Sequence, residues 1–196
     1  MISNLIKLLF YYIIYLYRYI RELLLKDTKN IFLIGLMGSG KTTIGKILSK
    51  TLNKDFYDSD HVVEEKTGVK VPLIFEYEGE VGFRTREERV LKDLVFHKNI
   101  VLATGGGVIL SKNNCKLLSN NGHVIYLKSN CDDLVARMTG DQSRPLLQEG
   151  DLKENLETLF KIRDPIYASI SDYIIETAGK RAKEISYEIE SLTKQL

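Results

Sequence analysis

Apolar positions along the chain follow two rhythms, and the switch between them marks out the elements. Short unbroken apolar runs occur at Ile31-Phe32-Leu33-Ile34, Ile100-Val101-Leu102-Ala103 and Val124-Ile125-Tyr126-Leu127. Runs of this length beside polar or glycine-rich stretches read as strands buried on both faces. Asp55–Asp58 and Tyr173–Glu176 read as two more strands. Between them the spacing predicts helices over Thr43–Leu52, Asp60–Thr67, Val71–Tyr77, Gly82–His97, Lys112–Asn120, Asp132–Met138, Leu152–Ser171 and Lys180–Leu196. Gly68 is a C-terminal stop, Pro72 suits a first turn, and Gly79 separates two helices. Pro165 is expected to interrupt the long helix around it. Thr139–Gly150 is polar, contains Gly140, Pro145 and Gly150, and reads as a loop. Strands alternating with helices imply an α/β fold, a parallel sheet covered on both faces with ligands at the carboxyl ends of its strands.

Residues 1–27 have a different texture. Five of the 11 tyrosines sit at Tyr11, Tyr12, Tyr15, Tyr17 and Tyr19. The apolar run Leu8–Tyr17 is ten residues long, short of the roughly 20 that a spanning helix needs. Asn4, Lys7, Tyr11, Tyr15, Arg18 and Glu22 share one helical face, and Leu5, Leu9, Ile13, Leu16, Ile20 and Leu23 the other. This is an amphipathic helix with a wide apolar face. Four readings stay open: a helix in a membrane interface, a packing helix, a marginal spanning anchor, or an upstream start outside the working protein. A cleavable secretory signal is not indicated, because no small-residue cleavage site follows.

Composition changes this picture little. Hydrophobic content of 44% and charged content of 28% are those of an ordinary globular protein. The net charge is +2. Residues 1–30 carry five Lys/Arg against two acids, and the remainder 23 against 24, which argues against a nucleic-acid surface. Cys115 and Cys131 have neither disulfide-framework nor metal-ligand spacing, which suits a reducing cytoplasm. His61, His97 and His123 are isolated and read as surface or core residues.

The chemistry concentrates in a few segments. Gly35-Leu36-Met37-Gly38-Ser39-Gly40-Lys41-Thr42 fits G-x-x-x-x-G-K-[ST] between a strand and a helix, the context that makes the motif a phosphate loop. Its N–H groups and the helix N-terminus suit an anion. Lys41 would reach the β- and γ-phosphates of a nucleoside triphosphate, and the Thr42 hydroxyl would ligate Mg²⁺. Asp58-Ser59-Asp60 ends the second strand: one carboxylate can serve the metal and the other can accept a proton from a hydroxyl, although Asp60 could equally cap the next helix.

Gly79-Glu80-x-x-Phe83-Arg84-x-x-Glu87 puts Arg84 and Glu87 on one helical face, so Glu87 could hold a guanidinium that grips an anion. Gly105-Gly106-Gly107 after the third strand suggests a close approach to the backbone. Ser143-Arg144-Pro145-Leu146-Leu147 lies in the polar loop, as a lid arginine would. Arg137 could stack on an adenine face, and Arg163-Asp164-Pro165-x-Tyr167 offers another substrate-facing arginine.

The ordered set GxxxxGKT, D-S-D, G-E-x-x-F-R-x-x-E, G-G-G, R-P-L-L and R-x-P-x-Y resembles the shikimate kinases over about residues 30–190. The resemblance implies a three-layer α/β/α P-loop kinase fold with a five-stranded parallel sheet, a substrate-binding region and a lid near residues 139–152, all within residues 28–196. It implies ATP- and Mg²⁺-dependent phosphorylation of the 3-hydroxyl of shikimate, in the chorismate route to aromatic amino acids. Gly38, Ser39, Gly40, Lys41, Thr42 and Thr43 would bind ATP, with Arg137 at adenine and Arg144 near the transferred phosphate.

By the same resemblance, Asp60 would bind the shikimate hydroxyls and act as base, while Arg84 and Arg163 would bind the carboxylate. Gly106, between Gly105 and Gly107, would bond ring oxygens. Phe75 and Phe83 would line the ring's apolar side, and Asp58 would organise Mg²⁺ with Thr42. The expected protein is cytoplasmic and monomeric unless residues 1–27 mediate assembly or membrane contact. A gluconate kinase of this fold would be expected to lack one of the two arginines. A non-catalytic nucleotide-binding module would be expected to have lost Lys41, Asp60 or Arg144. A membrane-tethered scaffold would draw its function from residues 1–27.

Overall fold

The computed structural model describes residues 30–138 and 151–194. The expected helix of residues 1–27 lies outside the described residues, as does the expected lid with Arg144, apart from Asp151 and Leu152. The element order is β1 (Asn30–Ile34), α1 (Lys41–Leu52), β2 (Asp55–Asp58), α2 (Ser59–Thr67), α3 (Val71–Leu94) and β3 (Ile100–Ala103). A short 3₁₀ turn (Val108–Leu110) follows, then α4 (Lys112–Asn121), β4 (Gly122–Lys128), α5 (Cys131–Met138), α6 (Leu152–Ile170), β5 (Tyr173–Glu176) and α7 (Ala182–Lys194).

The strands form one parallel sheet in the order β2-β3-β1-β4-β5. Period-two alternation divides the apolar runs between its faces. Ile31 and Leu33 of β1 join Val101, Ile125, Leu127 and Ile175 under α1 and α7, where Ile44, Leu48, Ile185 and Ile189 meet them. Phe32 and Ile34 join Leu102, Val124 and Tyr126 on the other face, under Leu91, Leu118, Leu134, Leu156 and Tyr167. Both faces of β1, β3 and β4 are covered, and for this reason these three strands read as continuous apolar runs, whereas the edge strands β2 and β5 keep polar residues.

Two local outcomes differ from the sequence pattern. The helix expected to break at Pro165 runs through it as α6. Proline leaves the carbonyl of residue 161 without its N–H partner, but Lys161 and Pro165 face solvent, where water can serve that carbonyl. Buried Arg163 and Tyr167 anchor the other side of the helix. The 3₁₀ turn after the glycines was not expected, since three residues carry no periodicity. Val71–Leu94 forms one long element bent at Gly79, whose φ of 68° and ψ of −175° are non-helical, in keeping with the break expected there.

Leu48 is fully buried between the sheet and α7. Leu48→Ala is expected to destabilise the fold by about 2–5 kcal/mol, read as a lower urea midpoint at unchanged slope. A midpoint matching the parent would mean that this layer does not hold the fold.

Candidate active site

β1, β2 and β3 end at one side of the sheet, and the loops leaving them surround a cavity of about 560 Å³. On one flank is the turn from β1 into α1. Gly38 and Gly40 take φ values of 79° and 92°, left-handed conformations that a side chain would strain. Gly40 is the N-cap of α1 and supplies no side-chain bond, so the first N–H groups of the helix keep their capacity for a ligand anion. Lys41 is nearly buried and donates to the carbonyls of Gly35 and Leu36, each at 2.8 Å. The Thr42 hydroxyl donates to Asp58 Oδ2 at 2.6 Å.

Asp58, not Asp60, caps α2: its Oδ1 accepts from the Asp60 N–H at 3.1 Å. The helix begins one residue earlier than the pattern placed it, so Asp60 enters the first turn and lines the cavity. The hard oxygens of Thr42 and Asp58 stand together at the cavity edge. They fit Mg²⁺, which takes one or two protein oxygens and completes its shell with phosphate and water.

The opposite flank comes from α3, the glycines and α6. Arg84 is the hub of an ion-pair network. Its Nη1 meets Glu87 Oε2 at 2.7 Å, and its Nη2 and Nε donate to Glu80 Oε1 at 2.9 and 3.2 Å. Burial opposes the Arg84 charge, but Glu87 and Glu80 outweigh it and hold the pKa above its usual value. Phe83 packs beneath the guanidinium and against Phe75, with ring centroids 4.8 Å apart. Arg163 is 4% exposed and donates to the Gly106 carbonyl at 3.3 Å.

Each glycine of the trio faces a different neighbour. A β-carbon on Gly105 would run into Glu87 Oε1 and stand 2.7 Å from Asp60 Oδ1. One on Gly106 would lie 3.4 Å from Met37 N, and one on Gly107 would overlap the Arg84 guanidinium. The close approach that the glycine run suggested is made by side chains at Gly105 and Gly107 and by phosphate-loop backbone at Gly106.

The cavity lining includes Gly38, Gly40, Lys41, Thr42, Thr43, Asp58, Asp60, Phe75, Phe83, Arg84, Gly105, Gly106, Gly107, Arg137 and Arg163. Ser39 and Glu87 stand behind it, buried. Arg137 bridges the carbonyls of Gly38 and Thr177 at 3.3 and 3.4 Å, tying the phosphate loop to the segment after β5. Several contributors went unrecognised in the sequence. His61, read as isolated, lies on the cavity wall and pairs with Glu65 at 3.2 Å. Glu64 accepts from the Val71 N–H and from Lys70, fixing α2 to the start of α3 at the cavity mouth. Fully buried Ser59 accepts from the Gly105 N–H at 2.9 Å. Only the middle position of D-S-D hinted at Ser59, and nothing local says that it faces inward.

A phosphate loop sharing one cavity with a carboxylate, two arginines and a glycine turn defines a P-loop kinase-like protein acting on small molecules. The family model for shikimate kinase matches residues 37–194. A shikimate kinase of Burkholderia lata is 51% identical over 148 residues, 76% of this chain and 80% of that protein. One of Chromobacterium violaceum is 53% identical over the same length and shares. The solved structure of the Acinetobacter baumannii shikimate kinase in complex with shikimate superposes with a TM-score of 0.84 at 46% identity, covering 85% of this chain and 93% of that one. This chain belongs to the shikimate kinase family.

Glu87 yields a pH prediction. It is 1% exposed, and burial, opposed mainly by Arg84, pushes its carboxyl up to about 7. The folded value lies above the ordinary 4.5, so the native state holds more protons than the unfolded chain between about pH 4.5 and 7. The stability due to this group is therefore full at the acid end and lost as pH rises through that window. Glu87→Gln, uncharged throughout, should gain stability relative to the parent by on the order of 2 kcal/mol from about pH 5 to about pH 8. Urea midpoints at both pH values check this, and a constant difference would rule it out.

Proposed function

We propose that this chain transfers the γ-phosphate of ATP to the 3-hydroxyl of shikimate, in the chorismate route to aromatic amino acids. The observation that carries this reading is the single cavity: Lys41 and Thr42 line one flank, and Asp60, Arg84, Gly106 and Arg163 line the other. A donor phosphate and an acceptor hydroxyl held there would already be neighbours, and positioning supplies much of the barrier reduction in phosphoryl transfer.

In this reading the N–H groups of the loop and of the α1 N-terminus hold the triphosphate. Lys41 can turn from two carbonyls to phosphate oxygens, which are stronger, charged acceptors. Thr42 and Asp58 would hold Mg²⁺, which when bound neutralises phosphate charge. Two arginines suit a carboxylate, and the Phe75–Phe83 pair gives a carbocycle an apolar wall. Glu80 occupies the Nε–Nη2 edge of Arg84, the edge that a substrate carboxylate would take, so carboxylate binding there exchanges one carboxylate for another. Asp60 accepts the hydroxyl proton as the oxygen attacks phosphorus. Arg144 would close over the transferred phosphate.

The test is ADP release from ATP and Mg²⁺ with shikimate, against gluconate and no-acceptor controls. Shikimate-dependent release alone is expected, and release with gluconate or with no acceptor instead would refute the reading. Asp60→Asn should lower kcat by about 100-fold or more while ATP still binds; near-parental turnover would remove Asp60 from the base role. Arg84→Ala should raise the KM for shikimate by about tenfold or more at similar ATP affinity. An unchanged KM would mean no carboxylate contact there.

A further inference from the structure

The peptide between Gly106 and Gly107 joins two residues without side chains, so steric preference does little to fix which way it faces. Hydrogen bonds must fix it instead. Two donors from α6, four residues apart, converge on the Gly106 carbonyl: Arg163 Nη1 at 3.3 Å and the Tyr167 hydroxyl by a shorter bond. A carbonyl has two lone pairs, and here both can be used.

Tyr167 is fully buried, and its ring stacks on Tyr126 with centroids 4.9 Å apart and planes at 27°. Tyr126 is buried in β4, which fixes its ring, and its hydroxyl separately donates to Asp164 at 2.8 Å. The Tyr167 hydroxyl therefore reaches Gly106 from a rigid base in the sheet. Across the glycine stands the phosphate loop, with Met37 N on the far side. A trans peptide points its N–H opposite to its C=O. Holding the Gly106 carbonyl toward α6 therefore aims the Gly107 N–H away from it. Among the described residues, neither the Gly106 nor the Gly107 N–H has a protein acceptor.

We infer that Tyr167 is a positioning residue for the acceptor substrate: its hydroxyl locks the Gly106–Gly107 peptide and so presents the Gly107 N–H to an oxygen of shikimate. It also shares the carbonyl with Arg163, leaving the rest of that guanidinium for the substrate carboxylate. Tyr167 touches neither substrate. This inference rests on the acceptor-site reading above.

Tyr167→Phe keeps the ring stack and removes the hydroxyl from both the Gly106 carbonyl and Arg163, while the Arg163 bond to that carbonyl can persist, so the fold is retained. The KM for shikimate is expected to rise about three- to tenfold, the equivalent of one neutral hydrogen bond, with the KM for ATP within about twofold. In the substrate-free protein the Gly106 and Gly107 amide resonances should move while those of Gly38 and Gly40 stay in place. Tyr126→Phe, which leaves the Tyr167 hydroxyl untouched, should keep the parental KM.

An unchanged KM for shikimate in Tyr167→Phe overturns the inference. So does a parallel rise in both KM values with a fallen melting temperature, or an equal rise in both variants, since each assigns the effect to packing. If the parent itself shows no shikimate-dependent turnover, the kinase reading fails separately. The amide resonances then decide the positioning: movement confined to the glycine turn supports it, and no movement overturns it.

Discussion

Between β3 and the 3₁₀ turn the backbone passes through a gap with no room for a β-carbon at Gly105 or Gly107 and only contact distance at Gly106. Glu87 and Asp60 close in on Gly105, the phosphate loop on Gly106, and the Arg84 guanidinium on Gly107. Ser59 holds the Gly105 N–H, while Arg163 and Tyr167 hold the Gly106 carbonyl. Parts of α2, α3, α6 and the β1–α1 turn therefore meet at one three-residue segment. Helices distant in sequence are registered against one another there, and the two flanks of the cavity are held together by backbone.

The charges around this segment are arranged unequally. Arg84 keeps its charge because two carboxylates face it, whereas Glu87 is so deeply buried that Arg84 cannot fully offset its desolvation. A buried carboxylate near neutrality beside an exposed competitor, Glu80, gives Arg84 one partner fixed by burial and one that can be exchanged. Such an arrangement keeps the guanidinium oriented, which would lower the ordering cost of the carboxylate binding proposed for Arg84. At the phosphate loop, Lys41 rests on carbonyls of its own turn and is likewise held in place.

Much of this was legible from residues. The central strands β1, β3 and β4 were readable because burial on both faces removes polar positions from them, and the partly exposed edge strands β2 and β5 also occur where the pattern placed them. Gly79 was readable as a break because a left-handed residue cannot continue a helix. Arg84 and Glu87 were readable as a pair because three residues on a helix bring side chains together. Pro165 misled, because its effect on a helix depends on whether the deprived carbonyl faces water, and that is a property of packing. From the residues alone Asp58 and Asp60 could not be told apart as metal-serving and proton-accepting carboxylates, and only the family resemblance gave them separate duties. Their division depends on Thr42 approaching from another element.

The sequence by itself determined the alternation of strands and helices, the phosphate loop and the set of residue types in the cavity. Each of these follows from local periodicity, or from spacing within a few residues. Only the tertiary structure decided that Asp58 caps α2 while both carboxylates line the cavity, that Ser59 and Tyr167 serve the glycine turn, and that His61 and Glu64 belong to the cavity's surroundings. The glycine-turn assignments depend on contacts between residues 46 and 61 positions apart, Ser59 with Gly105 and Tyr167 with Gly106, whose partners no local pattern names. Burial, which raises Glu87 and anchors Tyr167, exists only once the layers have closed.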